Sequence, residues 1–201
     1  MAVTAADVKA LRERTGAPIV DVKDALTEAE GDEQKAIEIL RKKGAASAAK
    51  RGGRSTEEGI VASYVHADGR KGALVEVQSE TDFVARNPEF QEFARQVAIH
   101  VTALSPQHVS FEEIPEEDVA NERRILEERA RSEGKPDNVI EKIVEGQLRK
   151  WAEDIVLLDQ KHFNQEVYEG KTIEDLRTEL ASKTGENVRI ARFARFEVGQ
   201  E

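Results

Sequence analysis

Three glycines, Gly16, Gly31 and Gly44, cut the start of the chain into segments that each carry their own start signal. Thr4 is an N-cap with Asp7 three residues on, the spacing of a capping box. Val8 and Leu11 then fall one turn apart, and Gly16 closes the segment. Pro18 suits the first turn of a second helix. Val22, Ala25, Leu26 and Ala29 lie on one stripe before Gly31. Asp32 caps a third helix, with Ala36, Ile37 and Leu40 facing inward. Arg41, Lys42 and Lys43 suit its negative C-terminal end, and Gly44 is expected to end it. The pattern predicts a small three-helix bundle. Ala45 to Lys50 adds a short helical arm, and Arg51-Gly52-Gly53-Arg54-Ser55 reads as a linker. The domain boundary is therefore expected there, giving units 1–54 and 55–201.

The second part changes character. Ile60 to His66 reads as a strand, Asp68-Gly69 as a hairpin turn, and Gly72 to Gln78 as the returning strand, with Val75 and Val77 on one face. Asn87-Pro88 is an N-cap followed by Pro at the first helical position. Phe93, Val97, Val101 and Leu104 then keep helical spacing to Ser105-Pro106. Residues 116–133 form a charged helix candidate, eleven of eighteen positions being charged. Gly134-Lys135-Pro136 breaks it. A longer amphipathic helix follows, with Val139, Ile140, Ile143, Val144, Leu148, Trp151, Ile155 and Leu158 on a broad stripe. The pair predicts a helical hairpin over about 116–158. Thr172 and Asp175 suggest a capping box for a last helix, which Gly185 stops. Asn187 to Val198 reads as a final strand with Val188, Ile190, Phe196 and Val198 on one face, interrupted by Arg192, where a bulge would fit. The fold class expected is α+β: a helical bundle, a linker, then a small antiparallel sheet packed by helices with a protruding helical hairpin.

Composition excludes several functions. The 201 residues carry a net charge of −10, which argues against coating nucleic acid, where affinity comes mostly from Lys and Arg. Cys is absent, so disulfides, thiol catalysis and Cys-bound zinc are excluded together. No apolar run approaches the ~18 residues of a spanning helix. Met1-Ala2-Val3-Thr4 has neither a basic nor an apolar leader region, so a cytoplasmic protein with no membrane partner is expected. No G-x-x-x-x-G-K-[ST] occurs, so no nucleotide is expected to bind directly through a P-loop. No G-x-S-x-G occurs either. His66, His100, His108 and His162 lack metal-ligand spacing and read as surface or loop residues, with packing beside the Phe93–Leu104 helix left open for His100. The carboxylates lie in helical charge patterns that read as solvated faces. No catalytic residue, metal or cofactor is expected, so the chain is not expected to be an enzyme. Residues 41–54 hold six basic and no acidic side chains. They leave a second reading open, an RNA- or ribosome-associated module, although they lack aromatics for base stacking.

Two segments stand out. Leu11 to Lys23 joins two helices and sets Ile19 and Val20 at a turn where burial is not guaranteed. Ser79 to Asn87 runs from a strand end to a helix cap. Phe83 in that connection either packs on the sheet or stands in solvent.

These segments, with Gly185-Glu186-Asn187-Val188-Arg189 and Arg195-Phe196-Glu197, resemble the elongation factor Ts family. The matching motifs are Leu11-Arg12, Thr15-Gly16-Ala17, Asp21-Val22-Lys23, Ala25-Leu26, Glu80-Thr81-Asp82-Phe83-Val84-Ala85, Phe90-Gln91 and Phe93-Ala94. They run in order over nearly the whole chain, whose length resembles the short form of the family. The resemblance implies a ubiquitin-associated-like N-terminal domain that docks on the GTPase domain of elongation factor Tu through Arg12, Ile19 and Val20. It implies that Thr81, Asp82, Phe83 and Val84 disturb the partner's magnesium site and promote GDP release, with Phe83 as a wedge. Pro18 stands where the family usually has Gly, Ile19-Val20 where it often has Met-Met, and Ser79 where it often has Cys. Ala194 matches a Cys that supports a covalent dimer in the short form. A disulfide dimer is thus ruled out, and a non-covalent homodimer through the last strand stays open.

Overall fold

The computed structural model describes residues 3–200; Met1 and Ala2, part of the leader reading, lie outside the described residues. The architecture is α+β, with a three-stranded sheet in the order β1 (Glu58–Val65), β2 (Lys71–Ser79) and β3 (Arg189–Glu197). The described residues divide into two compact units, one formed by residues 3–62, 75–96 and 175–191, the other by 63–74, 97–174 and 192–200.

In the first unit, α1 (Ala5–Thr15) starts at Thr4, whose hydroxyl accepts from the Asp7 amide while Asp7 accepts from the Thr4 amide. The Thr4 backbone N–H, then its hydroxyl, hold the Asp7 carboxyl below the usual carboxylate range. Gly16 ends α1 at φ 64°, a left-handed conformation open to glycine. α2 (Ile19–Glu28) begins one residue later than expected, with Pro18 as its N-cap. α3 (Glu33–Arg51) starts at Asp32, which accepts from the Gln34 and Lys35 amides. Arg14 and Glu33 pair across the bundle. Leu11, Val22, Ala25, Leu26, Ala36 and Leu40 fill its core.

Gly44 does not end α3; it is buried inside the helix, and the expected arm is the helix's own continuation to Arg51. A mid-helix Gly costs only about 1 kcal/mol relative to Ala, and Ala45, Ala46, Ala48 and Ala49 are the best helix formers available. The Gly44 site faces Ser182 and Thr178. The expected linker is also held down: Asn187 Nδ2 donates to the carbonyls of Arg54 at 3.1 Å and Gly52 at 3.5 Å.

β1 (Glu58–Val65) and β2 (Lys71–Ser79) form the expected hairpin, closed where the His66 amide donates to the Lys71 carbonyl at 2.9 Å. Ala73, Val75 and Val77 are buried. After the short helix α4 (Asp82–Ala85), α5 (Pro88–Leu104) starts at Asn87, whose Oδ1 accepts from the Glu89 amide at 2.8 Å. Its buried stripe is Phe90, Ala94, Val97, Ala98 and Val101, whereas Leu104 is exposed.

In the second unit, α6 (Glu116–Ser132) and α7 (Asp137–Ile155) pair as the helical hairpin. Leu126, Ala130, Ile140, Val144 and Leu148 form its seam, and Arg123 bridges to Glu145 at 2.6 Å. α8 (Ile173–Thr184) and β3 (Arg189–Glu197) complete the chain. The even positions of β3 do not share a buried face: Ile190 is buried, but Phe196 is 70% exposed.

Two of the four histidines depart from a surface reading, although His162 does lie in a loop and His100 sits within α5. His100 and His162 are fully buried, with ring centroids 5.8 Å apart. The Phe163 amide donates to His100 Nδ1 at 3.2 Å, so Nε2 carries the proton and donates to Gln160 Oε1 at 2.9 Å. His162 Nδ1 accepts from the Asn164 amide, and its buried Nε2 has no hydrogen-bond partner among the described residues. Burial lowers both pKa values, that of His100 to about 4.

Candidate functional site

The connection after β2 is built from its backbone outward. β2 ends at Ser79, which is buried and donates its hydroxyl to the Thr81 carbonyl at 3.0 Å. Thr81 is the N-cap of α4, its Oγ1 accepting from the Val84 amide at 3.4 Å. A helix of four residues cannot sustain itself, because nucleation is unfavourable without outside support. That support is Glu186. Its Oε2 accepts from the amides of Glu80 at 3.1 Å and Thr81 at 3.0 Å, and its Oε1 accepts from the Thr81 hydroxyl at 2.6 Å. Glu80 returns the contact: its Oε1 accepts from the Asn187 amide at 2.6 Å and pairs with Arg54 at 3.2 Å. Residues 54, 80–81 and 186–187 thus form one polar clasp under the turn.

On this clasp, Ala85 is buried and Phe83 is 81% exposed. Asp82 pairs with Arg86 at 3.0 Å, one helical turn on. The two readings of Phe83 left open by the sequence are resolved: it stands in solvent.

The second cluster lies in the helical bundle. Ile19 is 57% and Val20 65% exposed at the start of α2. An open groove of about 700 Å³ runs along α1 and α2, with Val3, Val8 and Ile19 as apolar lining and Lys9, Arg12 and Lys23 at its edges. Arg12 and Ile19 therefore share one concave surface; Val20 is exposed but is not among the groove's lining residues. Among the described residues no cluster of three His, Asp or Glu side chains suits a metal ion. No helix among them is long and apolar enough to cross a membrane.

A family model described as elongation factor TS matches residues 4–166. Elongation factor Ts of Carboxydothermus hydrogenoformans is 50% identical over 199 residues, covering 98% of this chain and 90% of its own length. That of Thermotoga neapolitana is 51% identical over 194 residues, 96% of each chain. The chain belongs to the elongation factor Ts family. It is thereby one of the elongation factors of protein biosynthesis.

Thr81 is the N-cap of α4, and Asp82, Phe83 and Val84 are its first three residues. In the sequence, Glu80, Glu186 and Asn187 stand out only as parts of motifs that resemble the family. Their mutual bonding had no signal in the sequence, because it joins positions 105 to 107 residues apart. Glu186 is half-buried, so its reading as part of a solvated charged face is corrected.

Proposed function

We propose that this chain binds elongation factor Tu carrying GDP and promotes GDP release by disturbing the magnesium and nucleotide site, so that GTP can bind. The observation that carries the reading is Phe83, a large apolar side chain 81% exposed on a turn whose backbone is fixed by Glu186. An exposed aromatic on a fixed backbone suits insertion between elements of a partner, because little ordering entropy is lost on docking. Arg12, Ile19 and Val20 supply a separate docking patch on the GTPase domain. Asp82 accompanies the wedge toward the magnesium site.

Exchange needs no bond-breaking chemistry in this chain. It needs a surface that binds the nucleotide-free partner better than the nucleotide-bound one, and linkage makes that preference equal to the loss of nucleotide affinity. The factor therefore acts without a cofactor and without a nucleotide site of its own, and it works in the cytoplasm, where translation occurs. The competing use of residues 41–54 as an RNA contact is weakened, since Arg51 donates to the Ala181 carbonyl at 3.3 Å and Arg54 pairs with Glu80.

The test is release of a fluorescent GDP from elongation factor Tu with and without this protein. Acceleration that survives added salt supports the exchange reading. No acceleration, or binding to RNA that falls steeply with salt, defeats it.

A further inference from the structure

We propose that Glu186 is a positioning residue for exchange: its carboxylate holds the Glu80–Thr81 backbone and the Thr81 hydroxyl so that Phe83 is presented in one orientation. The inference rests on the exchange reading above and names a residue outside the Thr81–Val84 segment.

Phe83 is too exposed to be held by its own packing. Its direction is therefore set by the backbone of α4. That helix has four residues, and its cap is the Thr81 hydroxyl. A hydroxyl has one proton and two lone pairs. The 2.6 Å contact to Glu186 Oε1 takes the proton, because an ionised carboxylate only accepts. A lone pair is thereby left for the Val84 amide at 3.4 Å. Glu186 Oε2 takes the amides of Glu80 and Thr81. Charge-assisted bonds of this kind are roughly twice as strong as neutral ones. One side chain on the segment after α8 thus fixes two amides and the cap of the turn that carries Phe83.

The neighbouring bonds make the arrangement reciprocal. Asn187 donates its amide to Glu80 at 2.6 Å and its side chain to the Arg54 carbonyl at 3.1 Å. Those bonds do not use the Glu186 side chain, so the fold has a second hold on the same segment. Glu186→Gln keeps the volume but replaces one acceptor oxygen with a donor, so the Thr81 hydroxyl and the two amides cannot all be accepted. Glu186→Asp keeps the charge on a shorter arm.

The experiment measures release of fluorescent GDP from elongation factor Tu as a function of factor concentration, for the parent, E186Q, E186D, F83A and E186Q/F83A. Amide hydrogen exchange of the free factor is followed alongside. The expected result is a maximal release rate about tenfold lower for E186Q, equivalent to about 1.4 kcal/mol, at an unchanged half-saturating concentration. E186D should recover part of it. The double variant should release little more slowly than F83A alone, because both changes act on one element. Faster exchange should be confined to the amides of residues 80–85.

Parental release by E186Q overturns the proposal. So does a loss that adds fully to that of F83A, or lost protection spread through β2 and α8, which would mark a general structural role. If the parent itself fails to release GDP, the exchange reading is what falls. The hydrogen-exchange comparison then still reports whether Glu186 holds the turn.

Discussion

Replacing Phe83 by Ala should separate function from stability more cleanly than any other change in this chain. In the free protein Phe83 is 81% exposed, so truncation removes little buried surface. Exposed substitutions of this kind usually lie within about 0.5 kcal/mol, and Ala favours the helical backbone of α4. The melting temperature should therefore stay within about 2 °C of the parent. In the complex the same side chain is read as buried in elongation factor Tu, which is worth roughly 1.5–3 kcal/mol for a large apolar group. Truncating an interface anchor costs about 2 kcal/mol or more. At 1.4 kcal/mol per decade, catalysed GDP release should slow on the order of tenfold or more. Stopped-flow release of fluorescent GDP and a thermal melt of the same preparation read both quantities. Phe90→Ala is the control: Phe90 is fully buried in α5, and its loss should cost roughly 3–5 kcal/mol of stability. An F83A protein that releases GDP at the parental rate, or one that melts like F90A, refutes the reasoning.

Ile19→Glu places a charge on the groove along α1 and α2, where Ile19 is already 57% exposed. The half-saturating concentration for exchange should rise by about tenfold with no change in melting temperature; a parental concentration dependence would remove the groove from the docking surface. Tryptic cleavage should begin at Arg51 or Arg54, at the expected boundary after residue 54, and Asn187→Ala should hasten it by freeing the Gly52 and Arg54 carbonyls. First cuts within 5–44 would place the boundary elsewhere. For pH, burial lowers the His100 pKa to about 4 from an ordinary 6.5. The unfolded chain binds that proton more readily, so the stabilisation is present above pH 6.5 and is lost as the pH falls toward 4. Between pH 7 and pH 5 the loss from His100 is about 2 kcal/mol, read as a lower melting temperature; a profile flat over that range, and unchanged by His100→Gln, would contradict it.

Local signals carried much of the fold. Thr4 with Asp7, Asp32, Asn87 and the stops at Gly16 and Gly185 are caps whose chemistry is complete within a few residues, and all mark element ends. Failures came where a distant part of the chain decides. Gly44 is the local exception: it looks like a stop, yet the alanine-rich segment after it carries the helix on to Arg51. His100 and His162 have no mutual sequence spacing of note, and they meet only because the segment after α7 brings residues 160–163 back to α5. Phe196 and Val198 fit an inward stripe by periodicity, but the face they occupy is exposed.

The candidate site divides the same way, and the division follows from what such a site requires. A side chain meant for a partner must stay out of its own core, so it appears in a connection, as Phe83 does between β2 and α5, or at a helix start, as Ile19 and Val20 do. Those positions are visible in a sequence as apolar residues that break the local period. An exposed apolar group gains nothing from its own packing, so its orientation has to come from polar bonds to the backbone beneath it. Here those bonds come mainly from a carboxylate, and in a chain with 40 acidic residues one carboxylate resembles any other. Glu186 differs from a solvated glutamate only in what folding brings to it: two amides and a hydroxyl from a segment more than a hundred residues earlier. The exposed position of Phe83 is therefore legible in one dimension and its support only in three.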